Sequence, residues 1–160
     1  MQLLLPRTGS RKLGRYWHEA KDGDADARAL FDRHYSRYRY KDGRKPKLFC
    51  GPGEKMVLLT EAADALFVWR KFRSADGQHG INCAIFRNES PHLSSDMILD
   101  AEEIAWRRWP QTRFFTYVKA EAIASRNPGY CFKRAGWRQC GITKVNKLVI
   151  LEKEAATHED

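Results

Sequence analysis

Apolar residues recur along this chain with two different periods. From Asp24 to Tyr38, Ala27, Leu30, Phe31, His34 and Tyr38 fall at helical spacing, and Asp24 or Asp26 can accept hydrogen bonds from the first turn. The pattern predicts an amphipathic helix there. Met56 to Thr60 and Ala65 to Phe72 are short, dense apolar runs that predict two strands. The polar turn Ser74 to Gly80 predicts a hairpin into the next strand, Ile81 to Arg87. After a loop from Asn88 to Ser95, Met97, Ala101, Ile104 and Ala105 share one stripe. They predict a helix from Asp96 to Trp109, stopped by Pro110. Arg113 to Val118 predicts another strand, Pro128 to Ala135 a short helix and Lys147 to Leu151 a last strand. Asn127 suits the cap of that short helix, Pro128 its first position and Gly136 its left-handed end. This order predicts an α+β fold, a mixed sheet with helices packed on it.

The chain has 160 residues, which fits one domain over 1–160 with a basic N-terminal segment and a short polar tail. Five Trp, eight Phe and six Tyr supply bulky core material. The net charge of +9 favours a polyanionic partner, either DNA, RNA or an acidic membrane surface, over a merely basic soluble protein. Cysteines stand at 50, 83, 131 and 140 with no C-x-x-C spacing. That argues against a zinc ribbon or a thioredoxin-type site, and a disulfide framework is not expected in a chain of this size. Leu3-Leu4-Leu5 is broken at once by Pro6 and Arg7, too short for a signal peptide or a membrane span. The expectation is a cytoplasmic, reducing location, with neither a membrane nor a metal.

Four groups of residues can carry chemistry, each with a plainer alternative. His34 and Tyr35 can supply a base and a proton donor, or can pack beside Phe31. Arg87 ends the best strand and can hold a phosphate or carboxylate, while Ser94, Ser95 and Asp96 follow at a helix N-terminus. Such a place suits an anion, or ordinary capping. Tyr130, after Asn127-Pro128-Gly129, can donate a proton or can plug a turn. The run from Arg33 to Lys47 sets Arg33, Arg37, Arg39, Lys41, Arg44, Lys45 and Lys47 against Asp42 alone, with Tyr35, Tyr38 and Tyr40 interleaved. It can bind phosphates and stack on bases, or form a solvated face.

The short helix closed by Gly136-Trp137 after a strand resembles the last helix of the GNAT acyltransferase fold. More of the chain, roughly residues 30 to 140, resembles the Mom-type phage enzymes, which convert adenine in DNA to N6-carbamoylmethyladenine. The likeness is carried by His34-Tyr35, the strand Asn82 to Asn88, Ser94-Ser95-Asp96, Trp106 to Pro110, and Asn127 to Phe132 with Gly136-Trp137. It implies a divergent GNAT-like mixed sheet with helices on both faces. It also implies a DNA-modifying transferase working in the host cytoplasm to protect phage DNA from restriction. His34, Tyr35 and Tyr130 would then be catalytic. Arg87, Ser94, Ser95 and Asn127 would hold donor or phosphate. Arg37, Arg39, Arg44, Lys45 and Lys47 would bind duplex DNA.

Three departures from these families' patterns stand out. The loop from Asn88 to Ser95 has no glycine, whereas most GNAT enzymes close a Gly-rich loop on coenzyme A. Phe132 occupies the place, four residues before the helix-ending glycine, where such enzymes carry a proton-donating tyrosine. The family's acidic position has no clear counterpart at Lys119-Ala120-Glu121. A glycyl donor such as glycyl-tRNA is favoured, with acyl-CoA as the alternative. Two rival functions stay open: an acyl-CoA-dependent GNAT acting on a small amine or a protein, and a non-catalytic DNA-binding protein.

Overall fold

Leu66, Phe67, Val68 and Trp69 alternate between two hydrophobic clusters, as successive side chains on a strand must. Those clusters lie within a seven-stranded sheet seen in a computed structural model that describes residues 10–33, 48–72, 74, 76–119 and 129–155. The elements are β1 (Trp17–Ala20), α1 (Ala25–Asp32), β2 (Glu54–Thr60), β3 (Ala65–Lys71), β4 (Ile81–Asn88), α2 (Ser94–Arg108), β5 (Phe114–Val118), α3 (Tyr130–Arg134), β6 (Arg138–Ile142) and β7 (Val149–Lys153). The strand order is β1-β2-β3-β4-β5-β7-β6, and the fold is mixed α+β. Neighbours are antiparallel except β4 and β5, which run parallel with α2 as their crossover.

The larger cluster joins Phe67, Trp69 and Phe114 to Met97, Ile98 and Ala101 of α2 and to Phe132 and Trp137 at α3. Trp69 is its centre: its ring lies 4.4 Å from Phe114 and 4.6 Å from Phe67, and its Nε1 donates to the Ala101 carbonyl at 3.1 Å. The smaller cluster joins Leu66 and Val68 to Ala27 and Leu30 of α1.

The predicted helix from Asp24 begins as expected, with Asp24 Oδ1 accepting from the amides of Asp26 and Ala27, both at 3.0 Å. It ends at Asp32 and not at Tyr38. Arg33 caps it and turns its guanidinium to Glu89. His34 to Lys47 lie outside the described residues. α2 starts at Ser94, two residues earlier than predicted, with Leu93 as its cap and no side-chain cap bond. Ser94, Ser95 and Asp96 therefore sit inside the first turn and are not its caps.

The cap of α3 is Gly129, left-handed at φ 75°, in place of Asn127, which lies outside the described residues together with Pro128. A Cβ on Gly129 would fall 2.3 Å from Leu151 Cδ1, so the close approach to β7 also requires glycine. The C-terminal end follows expectation. Gly136 has φ 96°, and the amides of Gly136 and Trp137 donate to the carbonyls of Lys133 and Phe132, both at 3.0 Å.

Two strands have no counterpart in the sequence reading. β1 buries only Trp17, and β6 is an exposed edge strand, so neither shows an apolar run. Pairing makes them: Trp17 opposes Thr60, and Ile142 opposes Val149. The last strand runs from Val149 to Lys153, two residues later than predicted. Thr143 and Leu148 close its hairpin turn through 2.8 and 2.9 Å hydrogen bonds.

Candidate active site

β4 and β5 pair only from Ile81 to Cys83 and from Phe114 to Thr116. Thr116 Oγ1 donates to the Cys83 carbonyl at 2.8 Å, fixing the last paired level. Beyond it β4 continues to Asn88 and β5 to Val118 with no further pairing between them among the described residues. The cause is visible on the other side of β4. Val68 opposes Ile85 while Trp69 opposes Cys83, which leaves Ala84 as a bulge. A bulge bends its strand, and the carboxyl ends of parallel strands at a change of sheet order are where α/β folds bind ligands. Backbone groups without a strand partner there must find another, and a ligand can supply it.

Arg87 stands at the end of β4. Its Nε donates to Glu89 Oε2 at 2.6 Å and its Nη1 to the Arg33 carbonyl at 2.8 Å. Arg33 in turn donates from Nε and Nη2 to Glu89, at 2.7 and 2.9 Å. One carboxylate is thus clasped by two guanidinium groups, and the end of α1 is tied to the end of β4. The hydrogen bonds from Arg33, then from Arg87, pull the Glu89 carboxyl down to about 2. The predicted anion ligand Arg87 therefore already holds a carboxylate. Arg33 is the residue just before His34 in sequence, so the clasp fixes where the chain enters the His34–Tyr35 segment.

Asn88 organises the glycine-free loop. Its Nδ2 donates to the His92 carbonyl and to Ser94 Oγ, both at 2.9 Å, and its Oδ1 accepts from the Ser90 amide at 2.9 Å. Ser94 is thereby engaged, and Ser95 is buried. Tyr130, at the start of α3, is 55% exposed. Phe132 is a packing residue, with its ring 4.9 Å from Trp137 and 6.0 Å from Phe86 of β4. Burial pushes the Cys83 thiol well above the usual range and raises that of Cys131.

Arg87, Ser94 and Ser95 thus gather at the carboxyl end of β4, and Tyr130 starts α3. His34, Tyr35, Arg37, Arg39, Arg44, Lys45, Lys47 and Asn127 lie outside the described residues. Glu89 and Asn88 escaped the sequence reading. Their neighbour Arg87 was the only signal, because the decisive partner Arg33 is 56 residues from Glu89. Tyr117 also escaped it. Its hydroxyl donates to Asp76 at 2.6 Å and ties β5 to the hairpin before β4; burial and then that bond push the phenol up to about 12.

Glu89→Gln is expected to speed amide exchange over the last turn of α1 while changing global stability by no more than about 1 kcal/mol, the scale of a surface ion pair. Wild type should show the same loosening in acid. The Glu89 pKa is lowered by folding, so the clasp is complete above the ordinary glutamate value and is lost as pH falls towards about 2. Exchange that ignores both changes would show that the clasp holds nothing.

Among the described residues no group of three or more His, Cys, Asp or Glu side chains is placed to hold a metal ion, and no helix is long and apolar enough to cross a membrane. No protein-family model, curated protein or solved structure matches the chain.

Proposed function

We propose that the chain is a GNAT-like transferase that modifies the N6 amine of adenine in DNA to a carbamoylmethyl group. The observation that carries this reading is the parallel pair β4–β5, joined over three residues and unpaired beyond the Ala84 bulge. The carboxyl ends of parallel strands at a change of sheet order are where such sheets take up ligands, and a transferase needs such a place for its donor. Further support comes from α1 and α2, whose buried residues join the two different clusters, as a sheet with helices on both faces requires. The short α3, closed by Gly136-Trp137, and the net charge of +9 also support it.

Glu89 and Asn88 favour a donor other than coenzyme A. The loop that would close on a pyrophosphate carries an ionised carboxylate and is cross-braced by the Asn88 side chain. A glycyl ester such as glycyl-tRNA satisfies the chemistry. Adenine N6 attacks the ester carbonyl, the tRNA hydroxyl leaves, and the product is –NH–CO–CH2–NH2 on C6. The free amine then attacks C6 through a five-membered ring and the old C6–N6 bond breaks. The result is –NH–CH2–CO–NH2, with N6 now the amide nitrogen. Atoms balance with no oxidant. Adenine must be flipped out of a duplex to be reached. His34 is the proposed base, and Tyr35 and Tyr130 the proposed proton donors.

Bacteria making the protein and fed glycine labelled in carbon and nitrogen should yield modified deoxyadenosine with both labels. The new carbons and the nitrogen on C6 should come from glycine, and the amide nitrogen from adenine. Mass-spectrometric fragmentation locates them. Nitrogen label confined to the amide would rule out the rearrangement, and carbon arriving from acetate would restore acyl-CoA. Unmodified nucleosides from cells whose purified protein still binds DNA would favour a non-catalytic DNA-binding protein.

A further inference from the structure

We infer that the outer edge of the sheet, at β1, is the track for the phosphate backbone of duplex DNA; this rests on the reading of the chain as a DNA-modifying enzyme. The basic run around Arg37 to Lys47 lies elsewhere in the sequence, so this surface is additional to it. An open groove of about 720 Å³ runs where β1 and β2 meet the last turn of α2. Arg11, Lys12, Lys21, Lys55, Arg107 and Arg108 line it, against the carboxylates of Glu19 and Asp22 alone. With Glu54, which pairs with Arg108 beside the groove, six cations meet three anions, an excess of three positive charges.

Part of that charge is already engaged: Arg11 pairs with Glu19 at 3.0 Å, Lys55 with Asp22 at 3.3 Å and Arg108 with Glu54, while Arg107 donates to the Leu13 carbonyl at 2.9 Å. The Arg11 pair is exposed, and such pairs exchange readily for phosphate. Lys12 and Lys21 have no acidic partner among the described residues, and no segment supplies more than two of the six cations. Charges spread along an edge suit a repeating line of phosphates better than one compact anion.

The groove also leads to the candidate active site. Lys12 is shared with a second cavity of about 470 Å³, lined further by Arg15, Tyr16, His18 and His92 and, on its β2–β3 side, by the carboxylates of Glu61 and Asp64. His92 belongs to the loop between β4 and α2, and its carbonyl is held by Asn88. Tyr16 packs against His92 with ring centroids 4.9 Å apart. Phosphates following the edge would therefore run from the C-terminal end of α2 to the carboxyl end of β4.

The test is the salt dependence of binding to a short fluorescent duplex. Lys12→Gln with Lys21→Gln should lower the slope of log affinity against log salt by about 1.8, or about 0.9 for each lost phosphate contact. Lys144→Gln with Lys147→Gln, on the exposed turn between β6 and β7, removes the same net charge and should change the slope far less. Equal changes in both pairs would overturn the track, since only net charge would then matter. So would an unaltered slope in the first pair, while DNA binding by wild type would leave the enzyme reading standing. Wild type that binds no duplex would sink both. A change seen with tRNA and not with duplex DNA would also overturn the proposal, assigning the edge to the donor.

Discussion

Replacing His34 by alanine is expected to abolish modified deoxyadenosine in the DNA of cells making the protein. The loss should be at least about 10²-fold, the scale set by removing a positioned acid–base group. The exocyclic amine of adenine is a poor nucleophile, so the proposed acyl transfer needs a base close to N6. The clasp of Arg87, Glu89 and the Arg33 carbonyl holds the residue before His34 at the end of β4. As a catalytic and not a packing residue, His34 should be replaceable without loss of the wild-type thermal transition. Full yield of modified nucleoside would remove His34 from the chemistry. Loss of folded protein would make it a packing residue on the stripe of Phe31.

Arg113→Ala should destabilise the fold by about 3 kcal/mol, the low end of the cost of breaking a buried ion pair. For a domain of this size that lowers the melting temperature by roughly 6–12 °C. Arg113 is buried and donates from Nε to Glu152 at 2.7 Å, from Nη1 to the His79 carbonyl at 2.8 Å and from Nη2 to Gln78 Oε1 at 3.0 Å. Its removal strands a buried carboxylate and frees the hairpin before β4 from the start of β5. Arg138, 2.7 Å from Glu152, keeps part of the interaction, which is why the low end applies.

The acid limb checks the cause. Hydrogen bonding from Arg113 holds the Glu152 carboxyl below the usual range. That lowered pKa contributes stability present above the ordinary glutamate value and lost as pH falls through the folded one. Arg113→Ala should flatten this loss. Arg113→Met with Glu152→Leu should recover much of the stability, since apolar replacement of a buried pair is often neutral or better. A variant as stable as wild type at neutral pH would show that the buried pair contributes nothing net.

Whatever is encoded locally was legible in the chain. The strand at Ala65 to Phe72, the stripe of Met97, Ala101, Ile104 and Ala105, the Asp24 cap and the left-handed Gly136 each follow from short-range sterics and composition. So did the α+β class and the hairpin at Ser74 to Gly80. β1 and β6 were not legible, because an edge strand with one buried residue or none has no apolar signature until a neighbour pairs with it. The end of α1 at Asp32 was hidden as well: apolar spacing continues past it in the sequence, and the partner of its cap residue Arg33 is Glu89, far along the chain.

At the candidate site the residue types can be read directly from the chain: an arginine ending a strand, a loop without glycine, a tyrosine after Pro128-Gly129, and an excess of positive charge. What they face is set by packing over long range. That packing gave Arg87 a carboxylate to hold, set Ser94 under Asn88, left Tyr130 exposed and lined the β1 edge with cations drawn from separate segments. Contacts between residues dozens of positions apart depend on strand order and register, and no local pattern carries that information.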